Sequence, residues 1–182
     1  MKQMAMLRHL PWSKRLASVG AGLLLAALAS TRIFRAETPL TPLAVLPIKL
    51  LDTSGEPTDQ ASQHAKRLSS LAQDLATDLT RLGLYRASAL SADRLRRDCP
   101  SEEVPCLLRS AQAHGADLIF VGVVHKSSTL IMQLWARLVD ARTGQDIYSR
   151  DLNFRGDTDE AWRRAELFLI DQIRDEAPQL RR

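Results

Sequence analysis

The sequence predicts a mixed α/β domain: a five-stranded mixed sheet in the order β-α-β-α-β-β-β-α, three parallel strands plus an antiparallel meander, with helices packed on the sheet. Three observations carry this. An apolar run at residues 43–50 precedes a long stretch with leucines at helical spacing. Three β-rich runs lie between residues 117 and 154, separated by two short polar turns. An amphipathic segment then closes the chain.

Leu43-Ala-Val-Leu-Pro-Ile-Lys-Leu50 reads as one strand, apolar on both faces and therefore central in its sheet. Pro47 cannot donate to a ladder, so a bulge or strand end is expected there. Asp52-Thr-Ser-Gly-Glu-Pro57 is a loop, and a helix starts at about Asp59 and stops at Gly83. Leu68, Leu71, Ala72, Leu75, Leu79 and Leu82 form its buried stripe; Lys66, Arg67, Asp74 and Asp78 are assigned to the opposite face, and His64 to the polar side.

Residues 84–90 read as a second, shorter strand, and Ser91 caps a short helix reaching Arg97. A further helix runs from about Val104 to His114 and ends at Gly115. The meander follows: residues 117–125, a turn at 126–129, residues 130–140, a turn at 141–144, and residues 145–154. In its last strand Tyr148, Leu152 and Phe154 alternate with Ser149, Asp151 and Asn153, so one face is buried. Asp157 or Thr158 caps the closing helix, with Glu160 placed for a capping box if Asp157 is the cap. Ala161, Trp162, Ala165, Phe168, Leu169 and Ile173 form its apolar side. Right-handed crossovers put the first strand in the middle of the three parallel ones, and the meander extends the sheet beyond the third.

Residues 1–29 read as a signal peptide. Lys2, Arg8, Lys14 and Arg15 lead an uncharged apolar run, residues 16–29, that is shorter than the ~20 residues a bilayer core requires. Ala27 and Ala29 suit cleavage after Ala29; cleavage after Ala36 and retention as an uncleaved anchor stay open. Residues 30–42 are then a linker, 43–176 a single α/β domain and 177–182 a tail. Export leads to the periplasm, with inner-membrane anchoring through residues 16–30 if the signal is kept. The leader holds four of the 25 Lys+Arg and none of the 21 Asp+Glu, leaving 21 against 21. The sequence pI of about 9.4 is thus a property of the leader and argues for no nucleic-acid partner.

Both cysteines lie beyond the leader, as Cys99-Pro-Ser-Glu-Glu-Val-Pro-Cys106. In an oxidising compartment a disulfide is the natural reading; the spacing is neither that of a zinc knuckle nor that of a CxxC redox pair. No metal and no cofactor is called for.

Gly115-Ala-Asp117-Leu-Ile-Phe-Val-Gly122-Val-Val-His-Lys126, then Leu138-Val-Asp140-Ala-Arg-Thr-Gly144 and Arg155-Gly-Asp-Thr-Asp-Glu-Ala-Trp162, resemble an uncharacterised bacterial family of exported domains of unknown function, of the DUF2380/DUF3280 type. The same grammar is similar to the amino-terminal domain of the TolB translocation protein. The first resemblance implies location and fold, and the second a periplasmic module that binds another protein or an envelope component.

The function read from these residues is a non-enzymatic periplasmic accessory or binding module contacting a cell-envelope protein. Trp135 shares a strand face with Gln133 and Arg137, so that side of the meander is expected to be only partly covered. Trp135, Arg137, Arg155, Asp157 and Trp162 are the candidate contact residues. Arg155-Gly156-Asp157 reads as a turn and helix cap. One alternative is a small hydrolase or ligand-binding enzyme using the Asp52–Gly55 loop, with Asp52 and Ser54 as its candidate residues; it requires His125 or His64 within hydrogen-bond reach of that loop around a concave pocket. Pairing Ser54 with His125, or Cys106 with His114, rests on no recognised motif, and no catalytic residue is assigned. A membrane-tethered spacer is the third reading.

Overall fold

A computed structural model describes residues 39–176. The readings of a signal peptide, its cleavage sites, most of the linker and the tail lie outside the described residues.

Among the described residues six strands and four helices follow one another: β1 (Pro42–Val45), β2 (Lys49–Asp52), α1 (Ala61–Arg81), β3 (Arg86–Ala89), α2 (Ala92–Asp98), α3 (Val104–Ala113), β4 (Leu118–Lys126), β5 (Ile131–Asp140), β6 (Asp146–Arg155) and α4 (Asp159–Glu176). The sheet order is β3-β1-β4-β5-β6, with β2 also pairing β4. β1 runs parallel to β3 and β4, and β4-β5-β6 is an antiparallel meander. The expected fold class and strand order are those observed. One correction concerns residues 43–50, which form two short strands because Pro47 interrupts the ladder; both pieces still pair with β4.

β1 is apolar on both faces because it lies between two cores. Leu43 and Val45 join the larger core with Leu71, Leu75 and Leu79 of α1 and Leu169, Ile170 and Ile173 of α4. Ala44 and Leu46 join a smaller one with Ala111 of α3 and Ile119, Val139 and Ala141. Each leucine or isoleucine taken out of water here contributes about 1.5–3 kcal/mol. Leu82 caps the end of α1, and Gly83 beyond it takes φ 66° and lets Leu84 N–H return to the Leu79 carbonyl. Ser91 caps α2, its Oγ accepting from Arg94 N–H at 3.2 Å.

The helical faces need correcting in detail. His64, Arg67 and Asp78 are buried, whereas Lys66 and Asp74 are exposed as assigned. Leu82 and Phe168, placed in the apolar stripes, are exposed. Thr158 is the residue whose side chain caps α4, accepting from Ala161 N–H at 3.2 Å. Asp157 is not the cap, because its carboxylate is turned inward onto four donors described below.

Candidate functional site

α1 and α4 cover one face of the sheet, and α3 reaches the other only near the start of β4. Among the described residues, no helix covers the remainder of that second face. Cross-strand register sets out its rows: Val121, Arg137 and Ser149; Lys49, Val123, Trp135 and Asp151; Leu51, His125, Gln133 and Asn153. Every one of these residues is half-buried or exposed, while their neighbours one position along β4 and β5 are buried. Leu51 is 44% exposed.

Trp135 stands at the centre of this face and is held in place. Its ring lies 5.3 Å from that of His125 at an interplanar angle of 36°. His125 Nδ1 is 3.2 Å from Gln133 Oε1, and Gln133 Nε2 donates to Asn153 Oδ1 at 2.9 Å. Nδ1 thus faces an acceptor oxygen, while Nε2 lies 2.8 Å from the Thr53 hydroxyl, which also donates to the Lys126 carbonyl at 3.3 Å. Beside the indole, Arg137 donates to Asp151 at 2.7 Å. The result is an aromatic and aliphatic centre with a polar, hydrogen-bonded border, the composition of a protein-binding patch.

Behind the end of the sheet lies a buried ionic cluster. Lys126, the last residue of β4, has no exposed surface and pairs with Glu56 at 2.9 Å, Asp157 at 3.2 Å and Asp52 at 3.9 Å; it also donates to Gln60. Asp157 accepts from His64 Nε2 at 2.8 Å, Arg67 Nη1 at 2.7 Å and Trp162 Nε1 at 3.0 Å. Burial pushes the Asp157 carboxyl up, yet the hydrogen bonds from His64, Lys126 and Trp162 outweigh it and hold the group below its ordinary value. For Lys126 burial alone would lower the ammonium's pKa; Glu56 and Asp157 reverse the sign and raise it. The cluster joins the loop after β2, the start of α1, the end of β4 and the start of α4.

The expected site residues separate accordingly. Trp135 and Arg137 lie together on the open face. Arg155 is exposed at the end of the edge strand β6. Trp162 is corrected: it is 3% exposed, donates to Asp157 and packs against Phe154, so it offers nothing to a partner. Asp157 belongs to the buried cluster. Asp52 accepts from both the backbone N–H and the hydroxyl of Ser54, at 2.9 and 2.7 Å, and its other oxygen faces Lys126 at 3.9 Å, so both side chains serve the loop and the buried cluster behind it. The loop does reach His125, but through Thr53. Cys99 and Cys106 form a disulfide with their Cα atoms 5.6 Å apart, so the Cys106–His114 pairing has no thiol; His114 pairs with Asp98 instead.

Sequence reasoning does not single out Thr53, Glu56, Arg67 or Lys126, and it names His64 only as a possible partner of the Asp52–Gly55 loop. A signal existed for three of them. Lys126 has the strand parity of the inward Phe120 and Val124, and His64 and Arg67 precede Leu68 and Leu71 by helical intervals of four.

The model of the DUF3280 family, described as a protein of unknown function (DUF2380), matches residues 41–173. No curated protein matches the chain. Among solved structures, lipoprotein GNA1162 from Neisseria meningitidis is similar at 16% identity over 75% of this chain and 99% of that one, with a TM-score of 0.48. TolB from Acinetobacter baumannii is similar at 19% identity over 76% of this chain and 29% of that one, TM-score 0.45. The LpoB C-terminal domain from Salmonella enterica is similar at 10% identity over 65% and 85%, TM-score 0.40.

Proposed function

Because the chain belongs to the DUF3280 family, which carries no assigned function, we propose a role from its own surface: a non-catalytic, exported accessory module that docks a cell-envelope protein on the open meander face. The observation that carries this is Trp135, half-buried at the middle of a sheet face that no described helix covers, and packed there against His125. A preorganised aromatic costs little ordering entropy on binding, which is why such residues dominate interface energetics. The charged leader and apolar run of residues 1–29 support export, and the envelope follows as the partner's location. Among the described residues, no helix is long and apolar enough to cross a membrane.

The test is affinity capture from periplasmic extract with the wild-type protein and with Trp135→Ala combined with Arg137→Ala. The double variant should lose a protein that the wild type enriches. Equal recovery by both would refute the assignment of this face.

A second reading rests on the Thr53–His125 contact, which places a hydroxyl and an imidazole as nucleophile and base could be placed. It is the weaker one. His125 is oriented by a neutral amide rather than a carboxylate, and the pair lies on an open, water-screened face where charge development is poorly stabilised. Ester hydrolysis by the purified protein that disappears in Thr53→Val would establish it.

A further inference from the structure

The outer edge of β6 has its own chemistry, separate from the Trp135 face. Among the described residues β6 pairs only with β5, so a ten-residue strand, Asp146–Arg155, presents its other edge without a ladder partner. An edge of that length is a ready-made template for another strand. Alongside it runs α4, and between them opens a groove of about 300 Å³ lined by Leu152, Phe154 and Arg155 from the strand and Ala161, Ala165 and Phe168 from the helix.

Phe168 is 53% exposed on a helix whose other aromatic residue, Trp162, is buried. Phe154 is half-buried and edge-on to Trp162, 6.3 Å between centroids, which fixes the groove's floor. The charge is one-sided: the lining includes Arg155 and Arg164 and no carboxylate. Arg164 is paired with Glu160, whereas Arg155 has no side-chain hydrogen bond or ion pair among the described residues.

A second copy fits poorly. Directly opposite residues of an antiparallel pair point to the same face, so a two-fold pairing of β6 with itself along its whole length must centre on Arg150 or Asp151. Either choice sets a charge against its own duplicate, which is destabilising.

We propose that this groove takes an extended acidic segment of another polypeptide, added as a strand to β6, with an apolar side chain seated between Phe154 and Phe168 and a carboxylate on Arg155. Main-chain hydrogen bonds along the edge would supply affinity, and the alternate side chains specificity.

The test selects random ten-residue peptides displayed on phage against the wild-type protein, then titrates the synthetic binders against variants. Selected peptides should alternate β-branched or aromatic residues with polar ones and carry Asp or Glu. Arg155→Glu and Phe168→Ser, both at exposed positions that leave the core intact, should each weaken binding at least tenfold, and methylating alternate peptide amides should abolish it. Trp135→Ala should leave it unchanged, which keeps this result separate from the fate of the meander face. Binders that depend on Trp135 but on neither Arg155 nor Phe168 would overturn the proposal, as would a selection yielding no binder. A concentration-dependent dimer in sedimentation, lost on Arg155→Glu, would make the occupant a second copy and overturn it equally.

Discussion

Lys126 Nζ lies 3.2 Å from Asp157 Oδ2, and neither side chain has more than 2% of its surface in water. This pair ties the carboxyl end of β4 to the start of α4. Glu56 extends the tie to the hairpin tip, its carboxylate accepting from Thr129 N–H at 2.7 Å and from the Thr129 hydroxyl. The loop that carries Thr53, and through it His125 and Trp135, is therefore anchored to the buried cluster from behind.

Removing one member of the pair strands the others in a dry site. Lys126→Ala is expected to destabilise the fold by about 3–5 kcal/mol, read as a lower urea midpoint. A midpoint equal to wild type would mean that the cluster does not hold these elements together.

Glu166 gives a pH dependence. Its Oε2 accepts from Arg163, while Oε1 is buried without a hydrogen-bond partner among the described residues. Burial pushes its pKa up to about 7, against the opposing charge of Arg163 and with Asp78 and Asp74 of α1 adding to the rise. The folded state thus retains a proton that the unfolded chain releases near its ordinary value of 4.5. The stabilisation from this group is complete below pH about 4.5 and is lost as pH rises through about 7, an effect on the order of 3 kcal/mol. Glu166→Gln should abolish that decline in chemical unfolding measured between pH 4.5 and 8. An unchanged slope in the variant would contradict the assignment.

Gly122 sits on the inward side of β4, where an added Cβ would come within 2.9 Å of Phe120 Cε1 and 3.2 Å of Ile48 Cγ1. Gly122→Ala should cost about 1–3 kcal/mol by overpacking, seen as a fall in Tm. A neutral or raised Tm would show that Phe120 and Ile48 can yield.

The Cys99–Cys106 bridge closes a short loop between α2 and α3. Replacing both cysteines with serine should lower stability by about 2–3 kcal/mol in non-reducing urea unfolding and leave the wild type's reductant sensitivity absent from the variant. A wild type indifferent to reductant would argue that the bridge is not formed.

The fold was legible because its signals are local and periodic. The apolar run at 118–124 marks a strand, the alternation at 133–137 and 148–154 and the leucine stripe of α1 report which face is buried, and short turns force the meander. The ionic cluster was not legible, because its members lie as far apart as His64 and Asp157 and come together only once the sheet end is built. A charged side chain is assigned to solvent by default, which puts Arg67 and Asp78 on the exposed face, whereas both are buried. Trp162 illustrates the same limit: its helical position does not say whether its N–H meets a partner protein or, as here, Asp157.

The most direct test of the central claim is site-specific photo-crosslinking in the exporting cell, with the photoreactive residue at Gln133 or Asn153 on the open face and at Asp74 on the exposed side of α1. A discrete heterologous adduct at Gln133 and Asn153, missing at Asp74 and lost when Trp135→Ala is added, is the result expected. Adducts at Asp74 alone, or at none of the three positions, would contradict the docking role of the meander face.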